Sequence, residues 1–271
     1  MNEIAKCVYF FDDLRFALEE VFDGKVPKEL VEKEKLLFWS MSSCFVSENV
    51  IPLESNFVLY NLKQNLRALK HKQYDLAILL GKKGEALLKT IADDLCISNK
   101  CVLSIKRYFI DETLEDMAID FQVDKNEIEN IRNILKNKVD AKILFIDDIV
   151  FSGGTLNRAK ETLNITSNKV DVITMVAFEE AIRENVNNIY SGIYINDATW
   201  PNASTDLWCL RDLIEIDAVP IKNGNATSFL QQKEFAQKYI FGALYGKVVE
   251  MVEAFVKEMQ SLKGSCYGKI R

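Results

Sequence analysis

Two adjacent carboxylates, closely followed by a turn of glycines and hydroxyl groups, are the residues of this chain best suited to chemistry. Asp147 and Asp148 come directly after the apolar run Ile143–Ile146. The turn that follows consists of Ser152, Gly153, Gly154 and Thr155. Glycines adopt positive φ and lack a Cβ, so backbone N–H groups can surround an anion, and the hydroxyl groups add donors. Since an acid pair suits ribose hydroxyls or a Mg²⁺ ion, the stretch predicts a sugar-phosphate site.

The elements around these residues read as strand, turn and helix. Ile143–Ile146 is typical of a short buried strand in a parallel sheet, and apolar residues at helical spacing follow the turn. The helix would direct the positive end of its dipole at the turn, and open α/β sheets bind ligands at the carboxyl ends of their strands. The alternative is a plain corner, in which Asp148 forms a turn and Thr155 caps the helix.

Residues 143–156 closely resemble the phosphoribosyl-pyrophosphate (PRPP) binding motif of the type I phosphoribosyltransferases, which has an apolar strand, two acids and a T/S-G-G-T turn. The resemblance implies that the catalytic acids Asp147 and Asp148 hold the ribose hydroxyls, and that residues 152–155 bind the 5′-phosphate. It implies transfer of the phosphoribosyl group to a nitrogen nucleophile, a nucleobase or related small molecule, with release of pyrophosphate. The cofactor would be Mg²⁺, carried by the ligand rather than by a protein cage. Phe151 departs from the motif, where a small polar residue is frequent.

A second strand-turn-helix segment precedes the first. The apolar run Leu76–Leu80 predicts a buried strand, and residues 85–95 have helical spacing. The turn between them consists of Gly81, Lys82, Lys83 and Gly84. The resemblance implies that this turn binds pyrophosphate through backbone N–H groups and Lys82 or Lys83, since lysine is a compact point charge. The alternative is an ordinary strand-to-helix turn.

Two further segments bear on the reaction. Residues 111–120 contain five acids and no basic residue. In the family a mobile loop near this position closes over the reacting centre and often carries basic residues. The departure favours an alternative function, a regulatory protein that binds PRPP or a nucleotide without catalysis. For the acceptor, the resemblance points to Asp197 and to Trp200, which could stack on a ring; simple packing is the alternative for the tryptophan.

Composition limits the partners and the compartment. The net charge of −6 argues against a large nucleic-acid surface. No apolar run approaches the roughly 20 residues of a membrane span, and the first residues do not form a secretory signal. Six cysteines without a CxxC pair indicate free thiols in the reducing cytosol, so we expect a cytoplasmic protein. His71 is the only histidine, which excludes two-histidine metal sites. The expected partners are PRPP and a small-molecule acceptor, with a homodimer left open.

The chain as a whole predicts an α/β fold with a mostly parallel sheet flanked by helices. We expect a phosphoribosyltransferase-like core over residues 72–200. Residues 1–71 are predicted to form a helical extension, because apolar residues recur at helical spacing over residues 3–22. Residues 201–271 are predicted to be largely helical, with Gly242 and Gly246 allowing close helix packing.

Overall fold

The computed structural model describes residues 7–47, 49–103, 106–109, 117–120, 125–136, 140–151, 153–165, 170–178, 188–195, 205–214, 219–220, 226–227 and 229–267. The described residues fall into two compact units. The first unit comprises those within 1–55, 108–117 and 199–271, and the second comprises those within 56–107 and 118–198.

Strands and helices follow each other along the chain. The strands are β1 (Cys7–Phe11), β2 (Asn49–Leu53), β3 (Gln73–Tyr74), β4 (Leu76–Leu80), β5 (Cys96–Ile97), β6 (Lys100–Leu103), β7 (Lys106–Phe109), β8 (Met117–Asp120), β9 (Ile143–Ile146), β10 (Ile149–Val150), β11 (Val170–Phe178), β12 (Asn188–Ile195), β13 (Thr205–Cys209), β14 (Val219–Pro220) and β15 (Ala226–Thr227). The α-helices are α1 (Leu14–Val21), α2 (Lys28–Ser42), α3 (Ser55–Leu66), α4 (Gly81–Ile91), α5 (Lys125–Lys136), α6 (Gly154–Leu163), α7 (Leu210–Leu213), α8 (Lys233–Phe235) and α9 (Tyr245–Tyr267). Shorter helical turns lie at Arg67–Leu69, Ala92–Asp94, Ala236–Phe241 and Gly242–Leu244.

The second unit contains a six-stranded sheet whose strand pairs are all parallel. Its order is β10-β11-β9-β4-β6, and β12 pairs with β11. Every residue of β4, β9 and β11 is buried, as expected for strands that are covered on both faces. The predicted α/β class, with a mostly parallel sheet flanked by helices, is confirmed.

Helices lie on both faces of this sheet. Ile131 of α5 and Leu156 of α6 share one apolar cluster, against which Ile189 of β12 packs. Because successive side chains of a strand alternate between faces, position 192 on β12 faces the other way. There a Cβ added to Gly192 would lie 2.3 Å from the carbonyl oxygen of Val58, so the backbone of α3 closely approaches this second face.

The strand register aligns the carboxyl ends of β4 and β9. Leu79 of β4 lies beside Ile146 of β9, and Ile146 lies beside Ile173 of β11. The turns that follow β4 and β9 therefore emerge next to each other at one edge of the sheet, although they are far apart in sequence.

A buried carboxylate stabilises the opposite, amino-terminal edge of the sheet. Asp171 of β11 accepts hydrogen bonds from the Tyr74 hydroxyl (2.6 Å), from Asn188 Nδ2 (2.8 Å) and from Lys72 Nζ. Burial by itself would raise the pKa of Asp171, but these three donors hold that pKa below its ordinary value. Asp171 therefore stays charged and links β11 to the start of β12 and to the segment before β4.

The first unit contains a second parallel sheet, with the order β13-β1-β2. The helix predicted over residues 3–22 is wrong for Cys7–Phe11, which forms the central strand; α1 begins only at Leu14. The apolar residues of this segment fit the period of a helix as well as that of a strand. The strand partners lie too far away in sequence for local periodicity to identify them. The predicted helical C-terminal segment is confirmed in α9, but that segment also contributes strand β13.

The two units do not coincide with the three segments expected from the sequence. Helix α3 falls in the second unit, whereas we expected it in the extension over residues 1–71. The division into segments 1–71, 72–200 and 201–271 stays a prediction.

The two glycines of the C-terminal segment play different structural roles. Gly242 has a φ of +53°, and a Cβ there would lie 2.6 Å from Val46 Cγ1. Nothing lies within 4 Å of a Cβ added to Gly246. The close packing predicted for this pair is therefore found at Gly242 and not at Gly246.

Two findings bear on expectations that the composition raised. None of the helices in the described part of the chain is long and apolar enough to cross a membrane. Cys7, Cys44, Cys96, Cys101 and Cys209 are in the thiol form. The cytoplasmic location stays a prediction.

Two buried carboxyl groups face each other in the first unit. Asp12 follows the central strand β1, Glu34 lies on α2, and their exposed fractions are 5% and 2%. The pKa of Asp12 is raised to about 10, mainly by burial and secondly by the hydrogen bond with Glu34. Burial also raises the pKa of Glu34. The pair therefore retains a proton at neutral pH, which lets one carboxyl group donate to the other.

Replacing Asp12 by asparagine should flatten the dependence of stability on pH. A folded-state pKa of about 10 lies above the unfolded value of about 3.9, so stability is greatest below the unfolded pKa and falls as the pH rises toward 10. The amide of Asp12→Asn cannot lose this proton, so its melting temperature should fall less between pH 5 and about 9. Thermal melts across that range test this, with Asp93→Asn at the surface as the control. Parallel curves for wild type and Asp12→Asn would contradict the shared proton.

Candidate functional site

The acid pair occupies a fixed position where the chain passes from β9 to β10. The Asp147 N–H donates to the carbonyl of Ile173 (3.1 Å), and the Asp148 carbonyl accepts from the Met175 N–H (2.8 Å) and the Thr174 hydroxyl (2.9 Å). All three partners belong to β11, so this neighbouring strand holds the backbone of the pair. Asp147 and Asp148 are buried, each 4% exposed over the whole residue. Asp147 Oδ1 also accepts from the Asp148 N–H (2.9 Å), which orients the first carboxylate.

The turn after β4 contacts the end of β9 through backbone atoms. Gly81 has a φ of +69°, a conformation that L side chains rarely adopt. A Cβ added to Gly84 would lie only 2.3 Å from the carbonyl oxygen of Ile146. Gly81 therefore permits the turn itself, while Gly84 lets the first turn of α4 touch β9 beside the acid pair.

A lysine from this turn pairs with the acid pair. Lys83 Nζ lies 3.1 Å from Asp148 Oδ2, with the two side chains 22% and 6% exposed. Lys82, its neighbour in the turn, is exposed. The two strand-turn-helix segments thus meet in one charged cluster, as their shared edge of the sheet requires.

The second glycine turn leads into helix α6. Gly153 has a φ of +71° at the N-cap position, and its carbonyl accepts from the Asn157 N–H (2.9 Å). The helix begins at Gly154, and Thr155 is buried in its first turn. Gly153 is therefore the position whose conformation requires glycine. The first N–H groups of a helix have no partner within it, so this end could bind an anion. Ser152 lies outside the described residues.

Sequence reasoning did not identify the aromatic contact beside this turn. The rings of Phe151 and Phe178 meet edge to face, with centroids 4.6 Å apart and planes at 77°. Phe178 ends β11, and Phe151 directly follows β10, which pairs with β11. The departure of Phe151 from the motif therefore has a packing explanation. Aromatic residues at the ends of two successive apolar runs were the available signal.

The remaining predictions concern the acceptor residues and the metal. Asp197 and Trp200 lie outside the described residues, so their roles stay predictions. In the part of the chain that the structure describes, no group of three or more His, Cys, Asp or Glu side chains could hold a metal ion. Asp147 and Asp148 are nevertheless oxygen ligands of the kind that Mg²⁺ accepts alongside waters and phosphates, so the site fits an ion that arrives with its ligand.

Comparisons with known proteins give only distant similarities to solved structures. No protein-family model and no curated protein matches the chain. It is similar to a hypothetical protein from Neisseria gonorrhoeae with bound ppGpp, at 18% identity over 56% of this chain and 81% of that one, with a TM-score of 0.40. A purine phosphoribosyltransferase from Pyrococcus horikoshii matches at 13% identity over 57% and 85%, with a TM-score of 0.34. The APRTase from Giardia lamblia matches at 15% identity over 51% and 80%, with a TM-score of 0.35. Nothing about substrate or reaction follows from similarities at this level.

Alanine at Gly84 should destabilise the protein more than alanine at Gly81. The first change drives a Cβ into a backbone carbonyl that cannot swing away, at a cost of roughly 1–3 kcal/mol or more. The second adds only the strain of positive φ in open space, roughly 1–2 kcal/mol. Gly246→Ala, also in open space but with ordinary φ, is the control and should not destabilise. Denaturant melts rank the three variants. A Gly84→Ala protein as stable as Gly246→Ala would contradict the close approach to Ile146.

Proposed function

We propose that this protein is a phosphoribosyltransferase, which transfers the phosphoribosyl group of PRPP to a nitrogen nucleophile and releases pyrophosphate. The observation that carries the proposal is the meeting of the two strand-turn-helix segments. The acid pair after β9 and the glycine-lysine turn after β4 lie within an ion-pair distance of each other, Lys83 Nζ to Asp148 Oδ2 at 3.1 Å. PRPP carries its ribose hydroxyls and its diphosphate on adjacent carbons, so a site for it needs these two kinds of group side by side.

Each part of the site has a role that follows from its chemistry. Asp147 and Asp148 accept hydrogen bonds from the ribose hydroxyls and fix the orientation of the sugar. The turn at residues 152–155 binds the 5′-phosphate through backbone N–H groups at the start of α6 and through the hydroxyls of Ser152 and Thr155. The turn at residues 81–84 binds the diphosphate through its backbone N–H groups and the ammonium groups of Lys82 and Lys83.

The reaction itself requires no covalent intermediate with the protein. The bond between the anomeric carbon and the pyrophosphate oxygen breaks, and its electron pair leaves with pyrophosphate. The acceptor nitrogen supplies the electron pair of the new bond and loses its proton to solvent. The transition state has oxocarbenium character, so positioning and charge stabilisation are the contributions required of the side chains. Mg²⁺ bound with the ligand would supply further positive charge at the diphosphate. We assign the acceptor to the vicinity of Asp197 and Trp200.

One observation favours a second candidate function. Residues 111–120 contain five acids and no base, which is unsuitable for a segment that should stabilise a leaving diphosphate. On this alternative the protein binds PRPP or a nucleotide as a regulatory signal and transfers nothing. Pyrophosphate release from PRPP in the presence of a panel of nucleobases separates the two candidates. Binding of PRPP by calorimetry without release under any acceptor would favour the regulatory function.

Asparagine at Asp147 should abolish ligand binding without unfolding the protein. The amide oxygen of Asp147→Asn can still accept from the Asp148 N–H, so the unliganded melting temperature should stay close to wild type. PRPP with Mg²⁺ should raise the melting temperature of wild type and not of the variant, because that shift measures binding to the native state. The control is Asp75→Asn at the opposite edge of the sheet, where Asp75 Oδ2 accepts from the Lys142 N–H (3.0 Å). A full shift in Asp147→Asn would contradict the assignment of the acid pair.

PRPP should bind tightly only when Mg²⁺ is present. The ligand brings a diphosphate to a protein of net charge −6, next to two carboxylates, so a divalent cation is needed to offset the repulsion. Calorimetric titrations of PRPP in Mg²⁺ and in excess chelator measure the difference, with ionic strength held constant as the control. Equal affinity in the two buffers would show that the ion has no part in binding.

A further inference from the structure

We infer that Lys83 is a positioning residue with two successive partners. In the ligand-free protein its ammonium neutralises Asp148, and on ligand binding it moves to the diphosphate. The inference rests on the proposed function and names how the two halves of that site are coupled. Binding at the ribose subsite would release the lysine that the pyrophosphate subsite requires.

Asp148 is a buried carboxylate beside a second acid. The side chain of Asp148 is 6% exposed, and a second carboxylate, Asp147, directly precedes it in the chain. An ionised carboxylate with little access to water is costly unless charge and hydrogen bonds compensate it. The ammonium of Lys83 at 3.1 Å supplies such charge before any ligand arrives.

The backbone that carries Lys83 is held in place on both sides of the residue. The turn is defined at Gly81 by its left-handed conformation and at Gly84 by the contact with the carbonyl of Ile146. The Cα of Lys83 therefore has little freedom to move relative to β9. Its four-carbon stem remains flexible, and with 22% of the side chain exposed its ammonium lies at the boundary between Asp148 and solvent. A change of partner thus requires only new side-chain rotamers.

The ligand carries groups that can replace both partners of the ion pair. Ribose hydroxyls donate hydrogen bonds to a carboxylate, so they can replace the ammonium at Asp148. The diphosphate of the same ligand carries more negative charge than the carboxylate of Asp148, so it can take the place of Asp148 as the partner of the ammonium. With this exchange, Lys83 compensates the charge of Asp148 before binding and the charge of the diphosphate after binding. A lysine that paired with only one of these two groups would compensate charge in only one of the two states.

Pyrophosphate binding to wild type, two single variants and their double variant tests the exchange, with a fifth protein as the control. Inorganic pyrophosphate with Mg²⁺ must compete with Asp148 for Lys83 in wild type. Asp148→Asn removes the competitor and keeps the side-chain size, so it should bind pyrophosphate about tenfold more tightly, as the coupling of contacting residues allows. Lys83→Met should bind it more weakly. In the double variant the gain from Asp148→Asn should be absent, since it operates through the lysine. Lys89→Met is the control, because it removes a positive charge from an exposed pair with Glu85 on the same helix.

Thermal melts of the same proteins without ligand test the first state of Lys83. Lys83→Met should lower the melting temperature, and the double variant should lose less than the sum of the single changes. Lys89→Met should have little effect, since its pair is exposed. If Lys83→Met does not fold, Lys83→Gln and the Asp148→Asn protein carry the test.

The outcomes test the exchange of partners at Lys83 separately from the proposed function. Additive melting temperatures, or an equal gain from Asp148→Asn with and without Lys83, would overturn the exchange, because the gain would then be general electrostatics. Tight PRPP binding and pyrophosphate release would leave the proposed function standing in that case. Coupled melting temperatures in a protein that binds neither pyrophosphate nor PRPP would overturn the proposed function and the exchange together.

Discussion

The close approach of Gly84 to the carbonyl oxygen of Ile146 is the constraint on which the candidate site depends. A Cβ at this position would lie 2.3 Å from that oxygen, so only glycine lets the first turn of α4 rest against the end of β9. The register of β4 and β9 brings the carboxyl ends of both strands to the same edge of the sheet. Because Gly84 has no Cβ, the backbone after β4 can then approach the end of β9 closely. Lys83 reaches Asp148 because of this backbone contact.

The fold accommodates buried carboxyl groups in three different ways. Asp148 lies beside the ammonium of Lys83, at the edge of the sheet. Asp171 has three hydrogen-bond donors that hold its pKa low, despite burial. Asp12 retains a proton, since burial and Glu34 raise its pKa to about 10. The first arrangement uses the flexible side chain of a lysine at the turn beside the acid pair, which suits a binding site.

The same short pattern has different chemistry in the two units. Two aspartates directly follow the last residue of β1, at Asp12 and Asp13, just as Asp147 and Asp148 follow β9. In the first unit Asp13 Oδ1 accepts from the Arg211 N–H (2.8 Å), and Asp12 faces a second acid. In the second unit a glycine-lysine turn lies beside the pair. Adjacent acids at a strand end are therefore weak evidence of a site until their neighbours are known.

The sequence by itself determined the local elements around the candidate site: the buried strands β4 and β9, the glycine turns and the helices after them. Apolar runs and turn residues act over a few neighbours, so their pattern is legible in the chain. Only the tertiary structure decided that Cys7–Phe11 is a strand, because its partners β2 and β13 lie far away in sequence. It also decided which lysine of the turn meets the acid pair and that Gly84 serves packing. These outcomes depend on strand register and on distances between backbones, which no local pattern encodes.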